Sequence, residues 1–274
     1  MKKLFILISF SLIFGQSSFV GEQLEKGSIN YADRKIQATG IGYVPAQVRT
    51  NAAQARMYAI RMAKVDALRN LVEIVSSITI DSETTMGEAM FSDLIQTQLR
   101  AFINGAVQVG DVKYLSDQSM EVTYEVPMSG ISMAVLPQTG FLPSTALGTA
   151  PATTETSGPT TSGVTGLIID VRGLGLRPAM SPRILDQNGG VVYGPGNYTR
   201  EYAIQNGVAG YAKGLEKASA DDRVKGNPLV IKGVSASGAN KADVVISNAD
   251  VMKIQSANSA HGVLRDCRVI FVLD

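Results

Sequence analysis

The chain has no tryptophan, one cysteine and one histidine in 274 residues. Those shortages remove whole classes of chemistry. Nucleophilic catalysis of the Ser/His/Asp or Cys/His kind needs a base beside a nucleophile, and the one candidate base, His261, follows the polar run SANSA and precedes Gly262. It reads as a loop histidine. A zinc site needs three or four His, Cys or carboxylate ligands, which one His and one Cys do not supply. Cys267 cannot close an internal disulfide; its place in the apolar end CRVIFVLD reads as a buried core thiol, with an intermolecular bridge as the other option. No cofactor or metal is expected. Charge imbalance is missing too, with 25 Lys+Arg against 24 Asp+Glu and no basic run. Nucleic acid is therefore excluded as a partner.

What is present begins with Lys2 and Lys3 ahead of an apolar run from Leu4 to Phe14, followed by the small residues Gly15, Ser17, Ser18 and Gly21. The run is too short to span a bilayer and has the form of a secretory signal peptide over residues 1–21, cut near Ser17 to Gly21. It contains no cysteine, so a lipobox is excluded and the chain is not lipidated. The expected location is periplasmic or secreted, with no stable membrane span after cleavage. Loss of Lys2 and Lys3 turns the net charge from +1 to −1. About 250 residues then remain, enough for two ordinary domains.

The stretch Asn51 to Ser77 organises the first of these. Ala52, Ala55, Ala59, Ala63, Ala67, Leu71, Ile74 and Ile78 recur every three or four residues, on one side of a helix. Alanine along its first half lets another backbone approach, and a β-sheet is the expected neighbour. Thr50 or Asn51 is the expected N-cap. Before the helix, Glu22 to Gly27 reads as polar and unstructured, and Ile29 to Gly42 as one extended segment with Ile36, Ala38 and Ile41 inward. After it, Ile78 to Thr85 reads as a half-exposed strand and Gly87 to Asn104 as a second helix facing inward with Met90, Phe91, Leu94, Ile95, Leu99 and Phe102. Ala106 to Leu115 and Met120 to Val126 form an expected hairpin.

From Pro137 to Gly163 the sequence turns to Thr, Ser, Pro and Gly with almost no charge, which reads as a flexible linker over residues 137–163 between domains at 22–136 and 164–274. In the second domain TGLIIDVRG is a buried-strand pattern, and Asn188-Gly189-Gly190 between ILDQ and VVYG is a strong hairpin signal. A helix is expected around REYAIQNG, strands at Leu229 to Val234 and Asp243 to Ser247, a short helix capped by Asn248 and running through Ile254, and a final strand at Arg268 to Leu273. The fold class is α+β, with an N-terminal sheet packed by one long and one shorter helix and a β-rich α+β C-terminal domain.

Gly40 to Met86 carries Gly40-x-Gly42, the AQAR of Ala53 to Arg56, Ala59-x-x-x-Ala63, the DALRNLVE of Asp66 to Glu73 and the following Asp81-Ser82-Glu83-Thr84-Thr85. This unit resembles the LPP20 family of bacterial envelope proteins, over roughly Ile36 to Val126. The resemblance implies a compact α+β domain in the cell envelope. It also implies assembly, since relatives and similar domains in flagellar accessory proteins form rings or discs around the motor. It supplies no catalytic residue. The missing lipobox cysteine sets this chain apart from the family's lipoproteins and argues against direct outer-membrane anchoring.

Two carboxylate pairs, Asp81 with Glu83 and Asp170 with Asp186, have the residue type of glycosidase chemistry, but Asp81 and Glu83 read as solvated strand charges and the Asp186 stretch as a hairpin turn. The loop from Arg172 to Pro178 holds two arginines and two glycines able to turn backbone N–H groups on an anion. Arg172, Arg177 and Arg183 are the candidate ligand contacts, although a structural loop with its arginines on nearby carboxylates is the commoner outcome. The expected function is a non-enzymatic structural or interaction component of the envelope that associates with itself or with other envelope proteins. The alternative is a periplasmic binding module for peptidoglycan or another envelope polymer, acting through the C-terminal domain.

Overall fold

A computed structural model of the chain describes residues 19–48, 51–136 and 163–274. The first half is a five-stranded antiparallel sheet of β1 (Gly21–Leu24), β2 (Gly27–Asn30), β3 (Lys35–Gly42), β4 (Val107–Tyr114) and β5 (Met120–Pro127), in the order β1-β2-β3-β5-β4. The helix α1 (Ala52–Ser76) lies along β3 and β5. Its N-cap is Asn51, whose side chain accepts from the Gln54 N–H. The alanine face is buried from Ala55 to Ala67 and continues through Asn70, Leu71, Ile74 and Val75, while Ala52 is exposed at the helix start.

That alanine face has a matching surface on β3. Ile36, Ala38, Gly40 and Gly42 alternate toward α1, and the two glycines touch its backbone: a Cβ on Gly40 would lie 2.1 Å from the Ala67 nitrogen. Ile41 therefore points outward, contrary to the sequence reading, because glycine and not isoleucine is what fits beneath the helix. β5 pairs with all of β3, but β2 covers only Lys35 to Ala38. Two side chains one turn apart on α1 occupy the opened edge: Asn70 Nδ2 donates to the Thr39 carbonyl at 2.8 Å, and Asp66 Oδ2 accepts from the Ile41 N–H at 3.0 Å.

Other expectations for this half need correction. Glu22 to Gly27 is ordered as β1 and its turn, paired residue by residue with β2, and Val20 just before it is part of the core. The extended segment from Ile29 is two strands, because the chain reverses at Tyr31 to Arg34 with Arg34 at φ 54°. Ile78 to Thr85 is a tight loop closed by a Thr79–Thr85 bridge; Asp81 Oδ1 accepts from the Glu83 and Thr84 N–H groups, so the two acids are not side by side on a strand. The second helix divides into α2 (Met86–Ala89), which has a Thr85/Glu88 capping box, and α3 (Asp93–Asn104). Phe91 falls in the break and is 90% exposed. β4 and β5 form the expected hairpin, and α4 (Met128–Val135), which the sequence reading did not contain, follows it directly.

The second half has β6 (Leu167–Asp170), β7 (Ile184–Leu185), β8 (Val191–Tyr193), α5 (Arg200–Asn206), β9 (Gly210–Lys213), α6 (Leu215–Ala220), β10 (Leu229–Lys232), β11 (Ser235–Ser237), β12 (Asp243–Val245), α7 (Asn248–His261) and β13 (Val269–Leu273). One sheet, β10-β6-β13-β9, is wholly parallel; the other, β11-β12-β7-β8, is mixed. A parallel sheet is covered on both faces, which is why β13 reads VIFVL without a polar position. Ile168, Ile270 and Val272 meet Ala218 and Leu215 of α6 on one side. Leu167, Ile169, Val269 and Phe271 face the main core on the other. The expected hairpin forms at Asn188-Gly189-Gly190, with Asp186 Oδ1 accepting from the Asn188 and Gly190 N–H groups. The last helix runs seven residues beyond Ile254 and is capped by Ser247, not Asn248. Together the elements make an α+β protein.

The two halves share one apolar core. Met180 and Ser181 donate backbone N–H groups to the Thr79 and Ile80 carbonyls at 3.0 and 2.7 Å, and Tyr31 meets Tyr211 edge-on at 5.6 Å. Arg200 of α5 donates to the Met133 carbonyl at 2.7 Å and to that of Leu136 at 3.3 Å. The expected signal peptide falls outside the described residues up to residue 18, as does the expected linker up to residue 162.

Candidate functional site

The three candidate arginines go to three different partners. Arg172 binds Asp170 through two nitrogens, Nε at 2.8 Å and Nη2 at 2.6 Å. This pairing holds the Asp170 carboxyl below its ordinary pKa and the guanidinium above its own. Arg177 reaches Glu22 of the first half at 3.5 Å. Arg183 is held by Asp243, which is 1% exposed: the backbone N–H donates to Oδ1 at 2.9 Å and Nε to Oδ2 at 2.8 Å. The loop after β6 does present a backbone N–H to an anion, but that anion is the chain's own Asp274, whose carboxylate oxygens lie 3.0 and 3.1 Å from the Gly173 nitrogen.

Asp243 joins the halves as well as holding Arg183. Ser82 of the first half donates its hydroxyl to Asp243 Oδ2 at 2.7 Å and accepts from Arg183 Nη2 at 2.7 Å. The Ser82 carbonyl in turn accepts from the Asn240 N–H at 2.9 Å. A serine, an aspartate and an arginine thus close a small ring of polar contacts at the junction of the halves. Its geometry is that of a latch: the Ser82 hydroxyl of the first half bonds both Asp243 and Arg183 of the second.

The remaining candidate chemistry is dispersed. His261 ends α7 and is exposed, with its ring against Gly163. Cys267 is fully buried with its backbone at φ 48°, and burial pushes its thiol up to about 11. Asp170 belongs to Arg172 and Asp186 to the hairpin turn. Among the described residues no group of three His, Cys, Asp or Glu side chains is placed to hold a metal ion. No described helix is long and apolar enough to cross a membrane.

One surface does stand out. Tyr58, Met62 and Val65 follow each other at helical spacing on the flank of α1 away from the sheet, and are 43, 53 and 56% exposed. Tyr114, at the end of β4, is on the other flank of α1, with the Arg56 guanidinium 6.0 Å from its ring centre. β4 is an edge strand, but the register shift between Val109 and Lys113, with Gly110 at φ 71°, bends it and blunts it for strand pairing. The helix flank is left as an apolar stripe of the first half, with exposed Arg61 and Arg69 beside it. Sequence reasoning singled out the buried face of α1 and passed over Tyr58, Met62 and Val65.

The whole second half has a counterpart among known families. Residues 166–274 match the family of the second domain of Treponema pallidum Tp0624. The Tp0624-like stretch opens one residue before β6 and takes in both sheets, α5, α6 and α7. The match covers the half that holds Arg183 and Asp243 and leaves out the half that holds Ser82. No curated protein matches the chain.

Proposed function

We propose that this chain is a non-enzymatic structural component of the bacterial envelope that associates with further copies of itself through the outer flank of α1. The observation that carries the reading is the Tyr58, Met62 and Val65 stripe. Exposed apolar residues aligned on one face cost solubility unless a partner covers them. The blunted β4 directs association to the helix flank rather than to strand addition. The resemblance of Gly40 to Met86 to the LPP20 family supports an envelope location and, as the finer form of the proposal, a ring or disc at the flagellar motor. A second copy is the natural occupant, because an apolar helix stripe packs well against its own equivalent about a two-fold axis.

The test is the solution mass of the chain beginning at Phe19, which keeps Val20 and β1, measured by light scattering over a concentration series with electron microscopy of any large species. A defined oligomer supports the proposal. A monomer at high concentration, alone and with envelope extract, overturns it.

A further inference from the structure

Where the two halves meet, a cleft of about 390 Å³ is lined by Tyr31, Arg34, Tyr202, Asp221, Asp222 and Arg223, among others. Its size is within the usual range for a small-ligand site. Arg34 comes from the turn before β3. Its Nη1 donates to the Gln205 carbonyl, and its Nη2 to that of Ile204 at 3.0 Å. Arg223 follows α6. It donates through Nη1 to the Gly207 and Cys267 carbonyls at 3.1 and 2.7 Å, and through Nη2 to that of Asn206. Two guanidinium groups therefore converge on the C-terminal end of α5.

Capping that end does not require two cations. The partners of both guanidinium groups are neutral carbonyls, and among the described residues neither has a carboxylate within 4.0 Å. Their Nε–H groups have no acceptor in the described residues either. Burial and the neighbouring Arg223 depress the pKa of Arg34 to about 10, the direction expected when like charges share a poorly solvated place. Glycines make the space: a Cβ on Gly207 would lie 3.0 Å from Arg34 Nε, and one on Gly210 would lie 3.3 Å from Arg223 Nε. Such a pair is completed by an anion, and a carboxylate or phosphate matches the guanidinium fork.

The loop that carries Arg223 also brings two carboxylates to the cleft. Asp221 accepts the Arg223 backbone N–H at 2.9 Å, and the Asp222 side chain is 98% exposed, with Lys225 at 3.9 Å. The cleft thus has positive charge at its α5 end and negative charge on the loop that carries Arg223. We infer that it binds a small zwitterion, a free amino acid or short peptide, with its carboxylate on Arg34 and Arg223 and its ammonium toward Asp221 and Asp222. Tyr31 and Tyr202 provide ring surface for the part between. This site is independent of the α1 flank.

The experiment is calorimetric titration of the full chain with glycylglycine, its N-acetyl form, its C-terminal amide and inorganic phosphate. Saturable binding of glycylglycine is expected, about tenfold weaker for the amide and severalfold weaker for the N-acetyl form. Arg34→Lys and Arg223→Lys each weaken glycylglycine about tenfold by losing the fork. Because either change can loosen α5, the deciding variant is Asp222→Asn on an exposed side chain. It should weaken glycylglycine severalfold and leave the N-acetyl form unchanged. Absence of saturable glycylglycine binding up to about 10 mM, some −2.7 kcal/mol, overturns the proposal. Equal binding of the amide, or phosphate binding tighter than glycylglycine with no effect of Asp222→Asn, overturns it as well.

Discussion

Gly42 and Ala59 are in backbone contact: a Cβ placed on the glycine would sit 1.9 Å from the Ala59 carbonyl oxygen and 2.5 Å from the Ala63 nitrogen. Neither atom can yield without moving α1 off β3. Gly42→Ala should therefore destabilise the protein by about 3 kcal/mol, at the upper end for overpacking. Urea unfolding followed by circular dichroism checks this, and a loss under about 1 kcal/mol would show that the helix slides freely along the sheet.

The latch of Ser82, Arg183 and Asp243 gives a second expectation. Asp243→Ala leaves Arg183 without its carboxylate and Ser82 without its acceptor, and should cost about 3 kcal/mol, the low end for a buried pair because Arg183 is partly solvated. Ser82→Ala, from the other half, should cost about 1 kcal/mol. A double-mutant cycle between the two sites should show coupling; additive losses would mean that the halves do not act on each other there.

The buried thiol makes alkaline stability a test. Cys267 has its folded pKa raised from 9.0 to about 11 by burial. The folded chain thus keeps a proton that the unfolded chain releases, so stability is full below pH 9 and falls as pH rises toward 11. The loss is on the order of 2 kcal/mol. Buried Tyr31, Tyr193, Tyr198 and Tyr211, also raised by burial, add to it at still higher pH. Unfolding curves from pH 7 to 11 should slope downward from about pH 9, and Cys267→Ala should delay that onset. A pH-independent wild type refutes the account.

Self-association should respond to charge on the α1 flank. Met62→Glu with Val65→Glu places two carboxylates on exposed positions, so the monomer should keep its melting temperature within about 3 °C while dissociation of any oligomer rises at least tenfold. Light scattering and thermal melting, run on the same samples, separate the two effects. An unchanged mass moves the interface elsewhere.

Legibility in the sequence followed the reach of each interaction. α1 announced itself because its alanines repeat within one helix, and the β7–β8 turn because Asn188-Gly189 is a local signal. Ile41 was misplaced because a glycine facing a helix looks, in sequence, like a residue with nothing to bury. α7 was cut short because its later residues Gln255, Ser256, Asn258 and Ser259 show no apolar stripe. Arg172, Arg177 and Arg183 were visible as arginines, but each takes a carboxylate that the sequence could not assign: Asp170 two residues away, Glu22 from the far end, Asp243 sixty residues on. Arg34 and Arg223 gave no signal at all. They stand far apart in ordinary polar turns, and only the docking of the halves brings them to the same end of α5.

The strand order β10-β6-β13-β9 puts the last strand of the chain, Val269–Leu273, in the interior of its sheet. β6 and β9 are made earlier, yet neither can pair with the other across the empty place that β13 fills. The parallel sheet therefore cannot close before Val269–Leu273 takes its place as the keystone, and loss of that strand would leave two apolar strand edges open to neighbouring molecules.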